Sequence, residues 1–390
     1  MPGNPWKQEA KNMPATPSTN APDPQDTGHR GLRFNTLTVA DVRQETPDAV
    51  SIAFTVPDDL ADSYSFRAGQ HLTIRHDADG EELRRCYSIS SGPGDGEVRI
   101  VVKQIDGGVF SSFANHDIKP GMQLDVMTPS GTFCPDLTPG HSAETNYLVI
   151  AAGSGITPII SIIRAILTAE PNSNVTLFYV NQRTGSIIYR GALSDLKDKY
   201  ASRLSVIHML SREATDVPLY SGRLDADKLK AFVPFHFEPG TVDQAFLCGP
   251  AEMVEGLRDG LADLGLDRTR IHQELFTPAE GITARPKGTG PADITPEGVE
   301  VTAILDGVER VFTLRPEDNS IVGAARAAGV ELPFSCSNGM CATCRAKLLE
   351  GEVEMAANYS LEPWELEAGY VLTCQSRPKT AKIKVDYDQV

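Results

Sequence analysis

Three cysteines fall within nine positions near the end of this 390-residue chain, Cys336, Cys341 and Cys344 in CSNGMCATC, and Cys374 follows at a distance. C-x4-C-x2-C with a remote fourth cysteine is a spacing that lets four thiolates enclose a 2Fe–2S cluster. A loop that wraps a compact charged group needs small, pliant residues, and Ser337, Asn338 and Gly339 supply them. Zinc is the competing metal, but zinc ribbons pair two short C-x2-C knuckles and one is present here. Buried structural cysteines are the bland alternative.

A second set of chemistry-bearing residues lies earlier, in RCYS, Arg85 to Ser88. The Tyr87 ring can stack on an isoalloxazine, the Ser88 hydroxyl can hydrogen-bond its N5, and Arg85 can pair with phosphate. Four residues with one free position recur by chance, so the neighbours matter. FRAGQHL precedes, and VVKQIDGGVFSSF follows with Lys103, Gly108 and Ser111. Gly108 and Ser111 would let backbone amides approach a pyrophosphate. After the apolar run YLVIAA comes Gly153-Ser154-Gly155-Ile156-Thr157-Pro158, a strand-to-helix turn. Its glycines permit a dinucleotide to approach the backbone at a helix N-terminus, although the third glycine of the common fingerprint is missing. Arg183, Ser211 and Arg212 follow the next two strand-like runs. An arginine there binds a 2′-phosphate, favouring NADPH, or is simply solvated.

These stretches resemble the ferredoxin reductase superfamily, with R-x-Y-S and F-x-x-G-Q in its flavin barrel and G-x-G-x-x-P and C-G-P in its nucleotide domain. Cys248-Gly249-Pro250 fits the last of these, and the resemblance puts it at the nicotinamide. A buried core cysteine is the other reading of Cys248. Phe276, in HQELF, resembles the family's aromatic near the flavin, or else is a core phenylalanine. The resemblance implies a catalytic set of Tyr87, Ser88 and Cys248, with Lys103 among the flavin-binding residues. Residues 299 to 390 resemble the 2Fe–2S ferredoxins throughout.

The elements that must position these residues divide the chain. Residues 1–31 are rich in Pro, Asn, Thr and Asp without an apolar core, and are expected to be disordered. Six short runs from Phe34 to Met127, punctuated by Gly, Pro and Asp, predict an antiparallel β-barrel for flavin over residues 32–143. Strand and helix then alternate, which predicts a parallel α/β nucleotide domain over 144–277. Residues 278–298 are Gly-, Pro- and Thr-rich and read as a linker. Over 299–390 a hairpin around Asp306-Gly307 and a short helix lead into the cysteine loop, as expected of an α+β (β-grasp) ferredoxin domain.

With 52 acidic against 36 basic residues, the net charge of −16 repels nucleic acid and gains nothing from an anionic membrane. No apolar run approaches the ~20 residues that cross a bilayer, and no secretory h-region is visible. Seven cysteines, four of them in the last third, do not form an extracellular disulfide framework, so a cytoplasmic address is expected. The eight histidines form no H-x-x-x-H pair, with His71, His208 and His272 scattered without metal-ligand spacing, and Cys86 and Cys134 read as small core residues.

Three redox devices in series make a two-to-one electron converter. NAD(P)H yields two electrons as hydride, the cluster takes one at a time, and a flavin handles both. GQHLTI, GEELRRCYSIS, AAGSGITPII, LPFSCSNGMCATCRAKLLEG and NYSLEPWELEAGYVLTCQ together resemble the reductase components of phenylacetyl-CoA epoxidase complexes from residue 32 onward. That resemblance implies NADPH as donor, FAD as flavin and a di-iron oxygenase component as partner. FMN fits the same R-x-Y-S motif. A reductase for a Rieske-type ring or steroid hydroxylase, a general diaphorase and a redox sensor are the alternatives, and the nucleotide motifs count against the sensor. Glu350, Glu352, Glu354, Glu362, Glu365 and Glu367 flank the cluster loop, as a docking face for a basic partner or as ordinary solvated surface.

Overall fold

Alternating apolar and polar residues make the first part of the chain a half-buried antiparallel sheet. The computed structural model describes residues 32–78, 80–277 and 298–389. The expected disordered extension and all but the last residue of the expected linker lie outside them. The first sheet contains β1 (Phe34–Thr46), β2 (Ala49–Thr55), β3 (His71–Ala78), β4 (Glu81–Ser88), β5 (Val98–Lys103) and β6 (Gln123–Met127), in the order β4-β3-β6-β1-β2-β5. A bridge from Ile89, just past β4, to Ile100 on β5 brings the two edges together, so the sheet curls into the expected barrel. One helix was not anticipated: α1 (Val109–His116) caps the barrel mouth with Phe110 buried in its core.

The second sheet is wholly parallel. It is built from β7 (Asn146–Ala152), β8 (Asn174–Asn181), β9 (Leu204–Leu210), β10 (Gln244–Pro250) and β11 (Ile271–Thr277), in the order β11-β10-β7-β8-β9. The helices α2 (Ile156–Ala169), α3 (Arg190–Lys199), α4 (Ala226–His236) and α5 (Ala251–Asp263) connect them. The chain starts at β7, winds out to β9, then returns to β10, so the topological switch point falls between β7 and β10. In such sheets ligands bind outside the carboxyl ends of the strands at that crevice.

Helix α2 is apolar on nearly every side, the pattern of a helix buried between layers. Ile156, Ile159, Ile160, Ile162, Ile163 and Ile166 are all 0% exposed. They share one core with Val149 and Leu177 of the parallel sheet and with Ala49 and Val101 of the barrel. Each fully buried isoleucine contributes about 1.5–3 kcal/mol, so barrel and nucleotide sheet are fused by apolar burial. Hydrogen bonds finish the joint. Ser161 Oγ donates to the Ser91 carbonyl at 2.6 Å, and the Ser90 and Tyr189 hydroxyls pair at 2.7 Å.

The third sheet is mixed. It comprises β12 (Val299–Leu305), β13 (Val308–Leu314), β14 (Arg345–Glu350), β16 (Tyr370–Leu372) and β18 (Lys382–Asp386), in the order β13-β12-β18-β14-β16, with β15 (Val353–Met355) and β17 (Ser376–Pro378) pairing separately. Helix α6 (Ile321–Ala327) packs on its inner face, and the short α7 (Pro363–Glu367) follows β15. Asp306 and Gly307 both take positive φ, 55° and 70°, as a two-residue hairpin turn requires. The Asp388 carboxylate accepts from both their amides, and Arg33, at the start of the barrel, pairs with Asp306 at 3.2 Å.

Candidate redox centre

The nicotinamide motifs meet at the switch point. Gly155 ends the turn after β7, and a Cβ there would lie 2.3 Å from the Cys248 carbonyl oxygen. Glycine is therefore demanded by the approach of β10, not only by a nucleotide. Gly153 takes φ 54°, and Thr157 Oγ1 donates to the Ser154 carbonyl at 3.0 Å, closing the turn. Pro158 sits in the first turn of α2, where its missing N–H costs nothing. No side chain caps α2 or α5. The two N-termini, the second just beyond Gly249 and Pro250, thus leave free N–H groups at the crevice, which suits an anionic dinucleotide.

Parallel pairing of β10 with β11 sets Cys248 opposite Glu274. The Ser88 hydroxyl, on β4, donates to a Glu274 carboxylate oxygen at 3.3 Å, and the Cys248 sulfur is 4.0 Å from the same oxygen. The flavin motif and the nicotinamide motif are thus bridged by one carboxyl group. Burial deep in the cleft pushes that carboxyl up to about 7 from an ordinary 4.5, opposed by His71 and by the Ser88 hydrogen bond. Burial likewise pushes the Cys248 thiol well up, helped by Glu274. Glu274 was not singled out in the sequence, although HQELF contains it. The strand register that gives it meaning is invisible there.

The other flavin-motif residues divide. Tyr87 packs beside Phe110 with ring centroids 5.6 Å apart, and burial raises its hydroxyl. Arg85 is exposed and, among the described residues, forms no ion pair. Gly108 is the uncapped N-cap of α1, open to a phosphate. Ser111 is committed locally: its hydroxyl donates to the Gly108 carbonyl at 3.2 Å and accepts from the Ile105 amide at 3.1 Å. Lys103 pairs with Asp48 at 3.5 Å instead of standing free. Phe276, half-buried, packs against the core shared by the barrel and the nucleotide sheet.

Arg183 and Arg212 lie together at the carboxyl ends of β8 and β9. Backbone bonds from Ser211 to Asn181 and from Arg212 to Gln182, both 2.8 Å, hold the two loops side by side. Both arginines are exposed and form no ion pair among the described residues. That leaves them available to an anion.

The four motif cysteines converge as free thiols around one loop. The Cys336 sulfur accepts from the Asn338 and Met340 amides, each at 3.4 Å, and Gln375 Nε2 donates to the Cys374 sulfur at 3.6 Å. The turn needs left-handed backbone at Ser337, Gly339 and Ala342, with φ of 55°, 76° and 51°. A hydrogen bond to Cys341 and then burial raise the Cys336 thiol, and a hydrogen bond to Cys374 and then burial raise Cys344. The same hydrogen bond from Cys344 holds the Cys374 thiol below its ordinary range, and a bound metal would displace the remaining thiol protons. Amide donors aimed at sulfur and a strained loop fit an iron–sulfur cluster.

Two expectations need correction. Cys86 is not an ordinary core residue: its sulfur donates to Ser335 Oγ at 2.7 Å, next to the cluster loop, because β4 runs beside the 331–335 segment that leads into that loop. Glu365 does not belong to a docking face. It is 1% exposed and pairs with buried Arg345 at 2.6 Å, beneath the cluster loop.

Comparisons with known proteins agree with this arrangement. An oxidoreductase FAD-binding domain matches residues 36–134, an oxidoreductase NAD-binding domain 149–259, and a 2Fe-2S iron-sulfur cluster binding domain 303–379. A component of the 1,2-phenylacetyl-CoA epoxidase of Escherichia coli (strain K12) is 45% identical over 356 residues, 91% of this chain and 98% of that protein. The 3-ketosteroid-9-alpha-monooxygenase ferredoxin reductase component of Rhodococcus rhodochrous is 35% identical, covering 92% of this chain and 98% of its own. The solved structure of phthalate dioxygenase reductase shares the fold, with a TM-score of 0.54 and 23% identity over 90% of this chain and 98% of that one. The chain belongs to the family of oxygenase reductases that join FAD-binding, NAD-binding and 2Fe–2S domains on one polypeptide, and is an electron-transferring oxidoreductase.

Proposed function

We propose that this reductase takes electrons from NADPH and delivers them to a di-iron oxygenase that acts on phenylacetyl-CoA. The observation that carries the wiring is the meeting of Ser88, Glu274 and Cys248 within one cleft, one strand away from the cluster loop. When bound, FAD accepts hydride from the nicotinamide and passes electrons singly to the 2Fe–2S cluster.

Arg85 and the α1 N-terminus at Gly108 hold the flavin pyrophosphate. Tyr87 would pack against a bound isoalloxazine, and Ser88 would hydrogen-bond it. Cys248, fully buried beside Glu274, would lie beneath a bound nicotinamide, and Gly153, Gly155, Thr157, Pro158, Gly249 and Pro250 would shape its bed. Glu274 holds or releases a proton beside Ser88. Arg183 and Arg212, with Ser211, grip a 2′-phosphate and so prefer NADPH to NADH. Cys336, Cys341, Cys344 and Cys374 ligate the cluster. Barrel, nucleotide and ferredoxin units are assigned to residues 32–143, 144–277 and 299–390.

The epoxidase partner is favoured over a steroid oxygenase by the higher identity to the epoxidase component. Among the described residues no helix is long and apolar enough to cross a membrane, which is compatible with work in the cytoplasm. Anaerobic titration with NADPH and separately NADH, following flavin and cluster absorbance, tests the wiring. Flavin bleaching first and cluster bands next is the expected order. Oxygen uptake that requires phenylacetyl-CoA, this protein and the cognate oxygenase tests the partner, and its absence with a competent oxygenase overturns that assignment alone.

A further inference from the structure

We propose that His71 is a positioning residue for the flavin-to-cluster step: through its hydrogen bond to Thr343 it holds the cluster loop against the flavin barrel. The inference rests on the electron-carrier reading above and adds the group that sets one of its steps.

His71 opens β3 and is 3% exposed. Its cross-strand partner is Ser88, so it stands directly beside the flavin motif. Its backbone is clamped to Ser130 twice, amide to carbonyl at 2.8 Å and carbonyl from amide at 3.0 Å. The ring is therefore aimed by rigid backbone. Its Nε2 lies 3.1 Å from both Thr343 Oγ1 and Ser130 Oγ, and as a single donor or acceptor it is shared between the two hydroxyls. Thr343, itself 3% exposed, lies between Cys341 and Cys344 in the cluster loop.

Independent contacts place the same loop at the same spot. One His71 ring nitrogen, the Cys86 sulfur and the sulfur of the cluster ligand Cys341 lie within 4.8 Å of one another. Ser335, one residue before Cys336, bonds to Cys86. The rest of the seam is ionic and aromatic. The Arg84 guanidinium sits 4.1 Å over the Phe334 ring, and Glu331 is 3.8 Å from Arg75 and 3.9 Å from Arg84. Among these contacts the His71–Thr343 bond is the buried one that reaches between two cluster ligands. Its directionality fixes where the loop sits, whereas an ion pair at 3.8 Å with an exposed glutamate tolerates sliding. Electron transfer falls steeply with separation, so loosening this contact slows that step.

The test is anaerobic stopped-flow reduction by NADPH of the full-length holoprotein as wild type, His71→Leu, His71→Gln, Thr343→Val and the double variant His71→Leu/Thr343→Val. Flavin reduction should keep the wild-type rate in Thr343→Val, which leaves His71 facing Glu274 as before. Cluster reduction should slow about tenfold in His71→Leu and in Thr343→Val, the loss matching one buried hydrogen bond. The double variant should be no slower than either single one, and His71→Gln, which keeps a polar group at that place, should recover most of the rate. The cluster potential should be unchanged in His71→Leu and His71→Gln, where the Thr343 hydroxyl still reaches Cys341, which separates positioning from damage to the cluster site. Wild-type cluster rates in both single variants, or slowing that is additive in the double, would overturn the proposal. Should His71→Leu fail to retain flavin while Thr343→Val stays at the wild-type rate, His71 serves the flavin and the proposal fails. A wild-type protein whose intact cluster never follows the flavin would instead sink the carrier reading itself.

Discussion

The barrel has two neighbours, and it is joined to them by different balances of apolar and polar contact. Toward the nucleotide sheet the joint is chiefly a layer of isoleucines on α2, with the Ser161–Ser91, Ser90–Tyr189 and Arg164–Asp95 contacts at its edge. Toward the cluster domain it is a polar seam of His71–Thr343, Cys86–Ser335 and arginines facing Glu331 and Phe334. Apolar burial fixes the first pair as one body, which suits hydride transfer, where reacting atoms must be aligned closely. A seam of hydrogen bonds and partly exposed charges is specific but individually weak. It suits an electron carrier that must also meet another protein.

The contrast can be broken most severely at the cluster. Cys341→Ser should bring electron delivery to an oxygenase or to cytochrome c down to background, while NADPH oxidation by ferricyanide persists; losing both would mean that the two joints are not separable. Next, Ile160→Ala on the dry side should cost about 2–5 kcal/mol in chemical denaturation, with barrel and nucleotide signals melting together. Separate melting would show that they are not one body. Gly155→Ala should raise the KM for NADPH at least about tenfold, because the added Cβ meets the Cys248 carbonyl and must displace the turn. An unchanged KM would show that β10 yields easily.

Glu274 supplies a pH test of the first joint. Its carboxyl is raised in the folded protein, so its contribution is complete below the ordinary value near 4.5 and is lost as pH rises through about 7. Relative to Glu274→Gln, the wild-type apoprotein should therefore be more stable at pH 5.5 than at pH 8 in thermal melts, and parallel curves would remove the raised carboxyl from the account. The smallest effect belongs to the seam's exposed rim. Glu331→Gln, like raising salt to about 0.5 M, should slow cluster reduction by no more than about threefold and leave hydride transfer untouched.

What the sequence disclosed follows the range of the interactions. CSNGMCATC was legible as a cluster motif because its cysteines and its pliant linker residues are neighbours in the chain, and the 2Fe-2S domain match spans it. The barrel and the parallel sheet were legible from period and punctuation, and α1 was missed because eight residues give too little periodicity against a strand-rich background. Glu274 was hidden because its meaning comes from pairing with Cys248, which only β-sheet register creates. Cys86 was read as a core residue, and His71 as one histidine without ligand spacing, for a related reason: burial against another domain leaves the same signature as burial in one's own. Lys103 and Ser111 sat in the right stretch, but Asp48 and the Gly108 carbonyl claim them locally.

One turn has a mechanical consequence. Arg33 and Asp388, from opposite ends of the described chain, both bind the Asp306–Gly307 hairpin. The path is thereby closed almost into a ring, and a load applied between those two positions is taken up by the turn before it reaches the catalytic cleft. Pulled from Arg33 and Asp388 in a force-spectroscopy experiment, the molecule should first give at this clasp, with the flavin still bound.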